Sequence, residues 1–265
     1  MRENIRGCEM KTLPKLYRKL PVSMRKRLVK LYKYTPSSHK IVNKNIDGIN
    51  FELDLSRLVH AQMYHYGFWE EHTTNIIKDK IKKGMVALDI GASSGVHALR
   101  MASLGAMTYA FEPSNWMYQN LVHNISLNKF DNIKPEKIAL SNFIGKGKIE
   151  STEHGKLRGR ITEPEIDIKY DTVDNYYKRN KIKRLDFIKI DTDGFEVKII
   201  EGGIKTIKKY YPWMVIEFRP SLFDGLIDIL KDLGYKFYKI ESGEEYKTIG
   251  EIRIDTKGVK NVLCC

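Results

Sequence analysis

VALDIGASSGVHALRMASLGAMTYAFEP, residues Val86–Pro113, is the stretch that decides the fold. Its first apolar run, Val86–Ile90, reads as a buried strand that carries Asp89 and ends at Gly91. The loop Gly91-Ala92-Ser93-Ser94-Gly95 follows, and a helical pattern opens at His97. Glycine has no Cβ, so the backbone there can turn sharply and lie against a ligand. The helix behind the loop offers free N–H groups to a ligand's carboxylate. A second strand, Met107–Phe111, ends in Glu112, about 20 residues beyond the loop, where Rossmann-like sites set a carboxylate on ribose hydroxyls. The loop lacks the third glycine of the pyrophosphate-binding fingerprint, so a ligand with ribose but no phosphate fits it better than a dinucleotide.

Outward from this segment, strand-like runs alternate with helical patterns. The strands are expected at Met85–Ile90, Met107–Phe111, Ile133–Leu140, Phe187–Ile190, Met214–Phe218 and Tyr235–Ile240. The helices are expected at His97–Leu104, Trp116–Leu127, Phe195–Glu201 and Leu222–Leu233. This alternation predicts an α/β fold, a parallel sheet with helices on both faces. Ahead of it, KIVNKNIDGINFELDL places Asp47-Gly48 between alternating runs, a β-hairpin signal. A helical stretch with Ile76, Ile77 and Ile81 on one side then leads to Gly84. The expected organisation is a basic helical extension over residues 1–40, a hairpin and helix lead-in over 41–83, and a Rossmann-like core over 84–265.

The chain has 265 residues, 42% hydrophobic and 30% charged, a globular balance that suits one large domain with a small appendage. No run approaches the roughly 18 apolar residues of a membrane span. No secretory signal is evident, and Cys8, Cys264 and Cys265 have neither disulfide-framework nor metal-ligand spacing, so a reducing, cytoplasmic setting is expected. The net charge of +13 predicts attraction to polyanions such as nucleic acid, an anionic membrane surface or an acidic polysaccharide. Residues 1–40 concentrate Lys and Arg among Leu13, Leu16, Leu20, Leu28 and Leu31, with Pro14 and Pro21 dividing the stretch. They read as a packed helical extension with a charged outer face, or as an arm in peripheral contact with a membrane surface. A dense basic stretch over residues 141–170, with His154, Arg158 and Arg160, reads as a mobile or hairpin-containing insertion near the acceptor side.

The segments YGFWE (Tyr66–Glu70), LDIGASSGVHAL (Leu88–Leu99), AFEPS (Ala110–Ser114) and FIKIDTDGFEVKIIEGG (Phe187–Gly203), followed by VIEF (Val215–Phe218) and KNVLCC, occur in an order that resembles the FkbM family of class I S-adenosylmethionine-dependent methyltransferases. The resemblance covers roughly residues 41–265. It implies a seven-stranded, mostly parallel sheet whose last strand is antiparallel, and methyl transfer, often to a sugar hydroxyl. It also implies that Asp89, Gly91, Ala92, Ser93 and Gly95 border the methionine moiety of the cofactor. Glu112, with Pro113 and Ser114, would hold the ribose. Ile138–Asn142, centred on Ala139 and Leu140, would border the adenine. Glu70 would close over the cofactor. Ser93-Ser94 departs from the family's more usual Asn-containing pair.

In an open parallel sheet, ligands bind beyond the carboxyl ends of the strands. Phe187–Ile190 ends in Asp191, followed by Thr192-Asp193-Gly194, and Met214–Ile216 leads into Glu217. If the strands are neighbours, Asp191 and Glu217 meet at the cofactor edge, and Lys189 shares their face. Methyl transfer aligns an acceptor oxygen with the methyl carbon and removes a proton. Asp191 is the expected base, with Asp193 and Glu217 in reserve, and Asp191 also borders the cofactor. Alternatively, Asp191, Asp193 and Glu217 hold a divalent cation, Mg or Mn, on a sugar diol. The competing structural reading gives Asp191 and Asp193 to the turn before the next helix and pairs Glu217 with Lys189 or Arg219. The leading expectation is an O-methyltransferase for a small-molecule or glycan acceptor. The alternatives are an RNA methyltransferase, prompted by the charge, and a cofactor-binding homologue without turnover.

Overall fold

The computed structural model describes residues 40–149, 166–256 and 258–265, together with Met24. The expectations for residues 1–39 and for His154, Arg158 and Arg160 lie outside the described residues. The described residues fall into two compact units that part between Glu71 and His72.

In the first unit, β1 (Ile41–Ile46) and β2 (Ile49–Asp54) pair antiparallel with Ile46 opposite Ile49. Asp47 and Gly48 both take positive φ, 50° and 84°, the geometry of the two-residue turn that matches strand twist. The Oδ1 of Asn45 accepts from the Gly48 amide at 3.1 Å. Helix α1 (Leu58–Tyr66) follows and stops at Gly67, whose left-handed φ of 78° lets its amide return to the Met63 carbonyl.

The second unit is the α/β core. It opens within α2 (Glu71–Lys80), at His72, then come β3 (Val86–Ile90), α3 (Val96–Ser103), β4 (Met107–Phe111), α4 (Asn115–Ser126) and β5 (Ile133–Glu136). A small sheet strand, β6 (Ala139–Leu140), precedes β7 (Gly145–Ile149) and β8 (Ile166–Asp171). Then come α5 (Val173–Arg179), β9 (Phe187–Ile190), α6 (Glu196–Glu201), α7 (Ile204–Tyr210), β10 (Trp213–Phe218), α8 (Phe223–Asp232), β11 (Phe237–Lys239), α9 (Ile249–Asp255) and β12 (Lys260–Cys264). The main sheet has seven strands in the order β11-β12-β10-β9-β3-β4-β5. From β10 to β5 the pairings are parallel, and the terminal β12 runs antiparallel between β10 and β11. The seven-stranded, mostly parallel sheet with an antiparallel last strand is therefore as expected.

Period-two alternation along the strands divides the core between two faces. Leu88, Ile90, Ile188, Ile190, Met214 and Ile216 face one way, against Tyr176 of α5, Ile199 of α6 and Leu226 of α8. Ala87, Phe187, Val215 and Leu263 face the other way, against Ile77 of α2 and Met101 of α3. Both faces are covered, so these strands read as unbroken apolar runs.

Two expectations are corrected. Ile133–Leu140 is not one strand: β5 ends at Glu136 as the edge of the main sheet, where Pro135 is tolerated, and Ala139–Leu140 pairs with β8 in a second sheet. Tyr235–Ile240 contracts to Phe237–Lys239. The short helices α5, α7 and α9, of seven residues each, were not expected from the sequence pattern. Threonine caps marked two of them: Thr172 accepts from the Asn175 amide at 3.0 Å and Thr248 from that of Glu251 at 3.1 Å.

Phe111 is 1% exposed and packs edge-on against Tyr176 at 4.9 Å. Phe111→Ala should lower unfolding stability by about 3–5 kcal/mol. The exposed Ile254→Ala should change it by no more than about 0.5 kcal/mol. Urea denaturation of both checks this, and equal losses would overturn the assignment of the core.

Candidate active site

The loop after β3 is tied to β4 and α4. The amides of Gly91 and Ala92 both donate to the Phe111 carbonyl, at 3.0 and 2.9 Å. The buried Asn124 of α4 donates from Nδ2 to the Ser94 carbonyl at 2.9 Å. Gly91 and Gly95 adopt left-handed φ of 80° and 91°. The sequence reading gave their missing side chains to a ligand, but much of that space belongs to the protein. A Cβ on Gly91 would lie 1.9 Å from the Asp191 carbonyl oxygen, and one on Gly95 would lie 2.7 Å from Leu121 Cδ1. Ser93 is also left-handed, with φ 50°, and its hydroxyl reaches only Met117 Sδ at 3.4 Å. Gly95 caps α3 with no side chain folded over the helix end.

Glu112 closes the other side of the loop. Its Oε2 accepts from the Ser93 amide and its Oε1 from the Ser114 amide, each at 2.9 Å. Burial pushes its carboxyl up to about 7; these two amides and Lys189 oppose the shift, and Asp89 adds to it. Each oxygen keeps a lone pair free for another donor. Pro113 continues into Ser114, the extended residue that caps α4. Of the two residues expected to border the adenine, Leu140 is buried in the core and Ala139 is half-buried beside it. The Ser141 amide, which follows them, donates to the Asp171 carbonyl at 2.9 Å. Glu70 lies in the first unit at a left-handed φ of 44°, between α1 and α2.

Register explains the polar column beside the loop. Asp89, Lys189 and Val215 are cross-strand neighbours on β3, β9 and β10, so Gly91, Asp191 and Glu217 continue that column at the carboxyl edge. Asp89 is buried and its oxygens make no well-formed hydrogen bond. Burial raises its carboxyl above the usual range, while Lys189, His97 and the Ala98 amide offset part of the rise. Lys189 is buried too; its Nζ donates to Asp191 Oδ2 at 3.2 Å and stands 3.8 Å from Asp89 Oδ1. Arg219 binds Glu217 Oε2 through Nε and Nη2, at 2.7 and 2.6 Å, and the same Nη2 also binds Asp193. Burial pushes the Glu217 carboxyl up to about 7, Asp191 and Asp193 add to the shift, and Arg219 opposes it.

The expected neighbourhood of Lys189, Asp191 and Glu217 is therefore formed, and Glu217 pairs with Arg219. Asp193 joins through that arginine at a left-handed φ of 57°. The three acids do not gather as a metal site. Among the described residues no group of three or more His, Cys, Asp or Glu side chains is placed to hold an ion, because Lys189 and Arg219 stand between the carboxylates. Sequence reading missed Asn124, which has no local signal, and Glu196, whose place in TDGFE marks a turn feeding a helix.

The residues fit a nucleoside with a zwitterionic tail. A desolvated carboxyl with spare acceptor capacity suits ribose hydroxyls, the uncapped start of α3 suits a carboxylate, and the column of acids suits a positively charged centre.

The family model for the methyltransferase FkbM domain matches residues 89–237. No curated protein matches the chain at the sequence level. Similar solved structures include TYW2 from Pyrococcus horikoshii in complex with MeSAdo, with 17% identity over 86% of this chain and 70% of that one and a TM-score of 0.45. An rRNA methylase from Streptococcus thermophilus shares 10% identity over 72% and 91%, with a TM-score of 0.42. Methyltransferase FkbM from Methylobacillus flagellatus shares 12% over 90% and 57%, with a TM-score of 0.43.

Glu112 has a pH signature. Between pH 4.5 and about 7 the unfolded chain loses the Glu112 proton while the folded chain keeps it, so stability falls as pH rises through that window. Relative to Glu112→Gln, the wild type should lose on the order of 3 kcal/mol across it. Paired denaturation curves at several pH values check this, and a constant difference would remove the assignment.

Proposed function

The chain belongs to the FkbM methyltransferase domain family, and on that premise we propose that it is an S-adenosylmethionine-dependent O-methyltransferase acting on a hydroxyl of a sugar or glycan. The observation that carries this reading is that Asp191 touches the glycine loop through its backbone while its side chain stands at the open edge of β9. Asp191 Oδ2 takes the Lys189 ammonium, and Oδ1 carries no hydrogen bond among the described residues.

Bound S-adenosylmethionine supplies a methyl carbon on a positively charged sulfur, open to in-line displacement by an oxygen. The chain's task is to hold the acceptor oxygen in line and to take its proton. Glu112, which the Ser93 and Ser114 amides hold in place, fixes the ribose end, and the start of α3 takes the amino-acid carboxylate. Asp191 Oδ1 accepts the proton of the attacking hydroxyl. Lys189, donating to Oδ2, fixes the direction in which Oδ1 points. Glu217 and Asp193, tied by Arg219, offer acceptors to neighbouring hydroxyls, a pattern suited to a vicinal diol. The net charge of +13 favours RNA as the second reading.

Transfer from radiolabelled cofactor to pools of sugars, glycans and RNA tests both. Label on carbohydrate is expected; label on RNA alone would overturn the sugar assignment. Asp191→Asn should lower kcat by about 10²-fold or more, and unchanged transfer by Asp191→Ala would remove Asp191 as the base. The kcat/KM of the wild type should rise with pH through about 7, where Glu112 and Glu217 both ionise, and Glu217→Gln should remove the Glu217 share of that limb and leave the Glu112 share.

A further inference from the structure

Glu196 opens α6 and is completely buried, although none of the roles above employs it. Its Oε1 accepts from the Thr192 amide at 3.0 Å, from the Thr192 hydroxyl at 3.0 Å and from the Gly194 amide at 3.4 Å. Its Oε2 has no hydrogen-bond partner among the described residues. The turn it gathers is left-handed, with Asp193 at φ 57° and Gly194 at φ 128°. Aspartate and glycine tolerate the left-handed backbone, so what this turn requires is that its amides find acceptors. The same turn touches the glycine loop: a Cβ on Gly91 would meet the Asp191 carbonyl oxygen at 1.9 Å and Thr192 Cγ2 at 3.2 Å.

We infer that Glu196 is the positioning residue of the cofactor cradle. It pins Thr192 and Gly194 and so fixes the Asp191 wall against which the Gly91 turn is seated. Burying a carboxyl with one oxygen unpartnered is costly for stability, which fits a residue kept for placement rather than for the fold. The inference rests on the proposed cofactor site, because the wall it fixes is the wall of that site. Glu196 touches no reacting atom; it acts through the turn.

The test measures S-adenosylhomocysteine binding by calorimetry for the wild type, Glu196→Ala and Glu196→Gln, well below each protein's melting temperature. Glutamine keeps an acceptor for the two amides, whereas alanine removes it. Glu196→Ala should weaken binding about tenfold, the scale of one lost charge-assisted hydrogen-bond set, and Glu196→Gln should restore most of it. Affinity within twofold of wild type in Glu196→Ala would overturn the inference, as would equal losses in both variants, since a loss that the acceptor cannot rescue is not a loss of positioning. A second measurement is independent of the ligand: amide hydrogen exchange at Thr192 and Gly194 should quicken in Glu196→Ala and stay near wild type in Glu196→Gln. If the wild type binds no S-adenosylhomocysteine, the cofactor reading fails, and the exchange pattern alone then decides whether Glu196 holds the turn.

Discussion

The Asp191 amide donates to the Ile90 carbonyl at 3.0 Å, and at the next step the Gly91 α-carbon approaches the Asp191 carbonyl so closely that any side chain would collide with it. This backbone contact sets the geometry of the site. It needs β3 and β9 to be parallel neighbours in one register, Gly91 to lack a Cβ, and the chain after Asp191 to turn away at once. Given those conditions, the loop after β3 and the turn after β9 become two walls of one edge. The loop is then held from behind by Asn124 and from the side by Glu112, and the turn is held from below by Glu196.

The buried column Asp89–Lys189–Asp191 belongs to the same constraint. Along this face of the sheet, apolar side chains give way to charged ones two residues before the edge. An ion-paired lysine in such a place contributes little net stability, because desolvation offsets most of the attraction. What it contributes is direction: Lys189 lies between two carboxyls, nearer to Asp191, and limits the rotamers of the acid at the edge.

The parallel core was legible because strands buried on both faces appear as short apolar runs, and because β3, its loop, β4 and Glu112 are contiguous in sequence. The hairpin was legible from Asp47-Gly48 set between two alternating runs. The rest depended on long-range neighbours. Nothing local tells that Ala139–Leu140 leaves the main sheet to pair with β8, or that Asn124 reaches the Ser94 carbonyl. The glycines were located correctly but explained incompletely: spacing shows that a Cβ is unwelcome at Gly91 and Gly95, and only the fold shows that Asp191 and Leu121 would meet it. Arg219 was considered as a partner of Glu217 alone, since its second partner, Asp193, comes from another strand end.

The distribution of charge bears on the acceptor. At the edge, Asp89, Glu112, Asp191, Asp193, Glu196 and Glu217 face Lys189 and Arg219, and both of those cations are already engaged by carboxylates. Most of the net charge of +13 comes from residues 1–39, with eleven Lys and Arg against two Glu; among the described residues, the exposed Lys178, Arg179, Lys181, Lys183 and Arg184 lie at the end of α5 and in the turn that enters β9, the opposite end of that strand from Asp191. A polyanion placed at the proposed acceptor edge would lie against the Asp191 and Asp193 carboxylates, whose cationic partners Lys189 and Arg219 are already engaged. A neutral polyol meets no such penalty, and its hydroxyls donate to the acceptors present there. The overall positive charge therefore does not by itself speak for an anionic acceptor, because the cations nearest the carboxyl edge of β9 and β10 are already engaged by carboxylates.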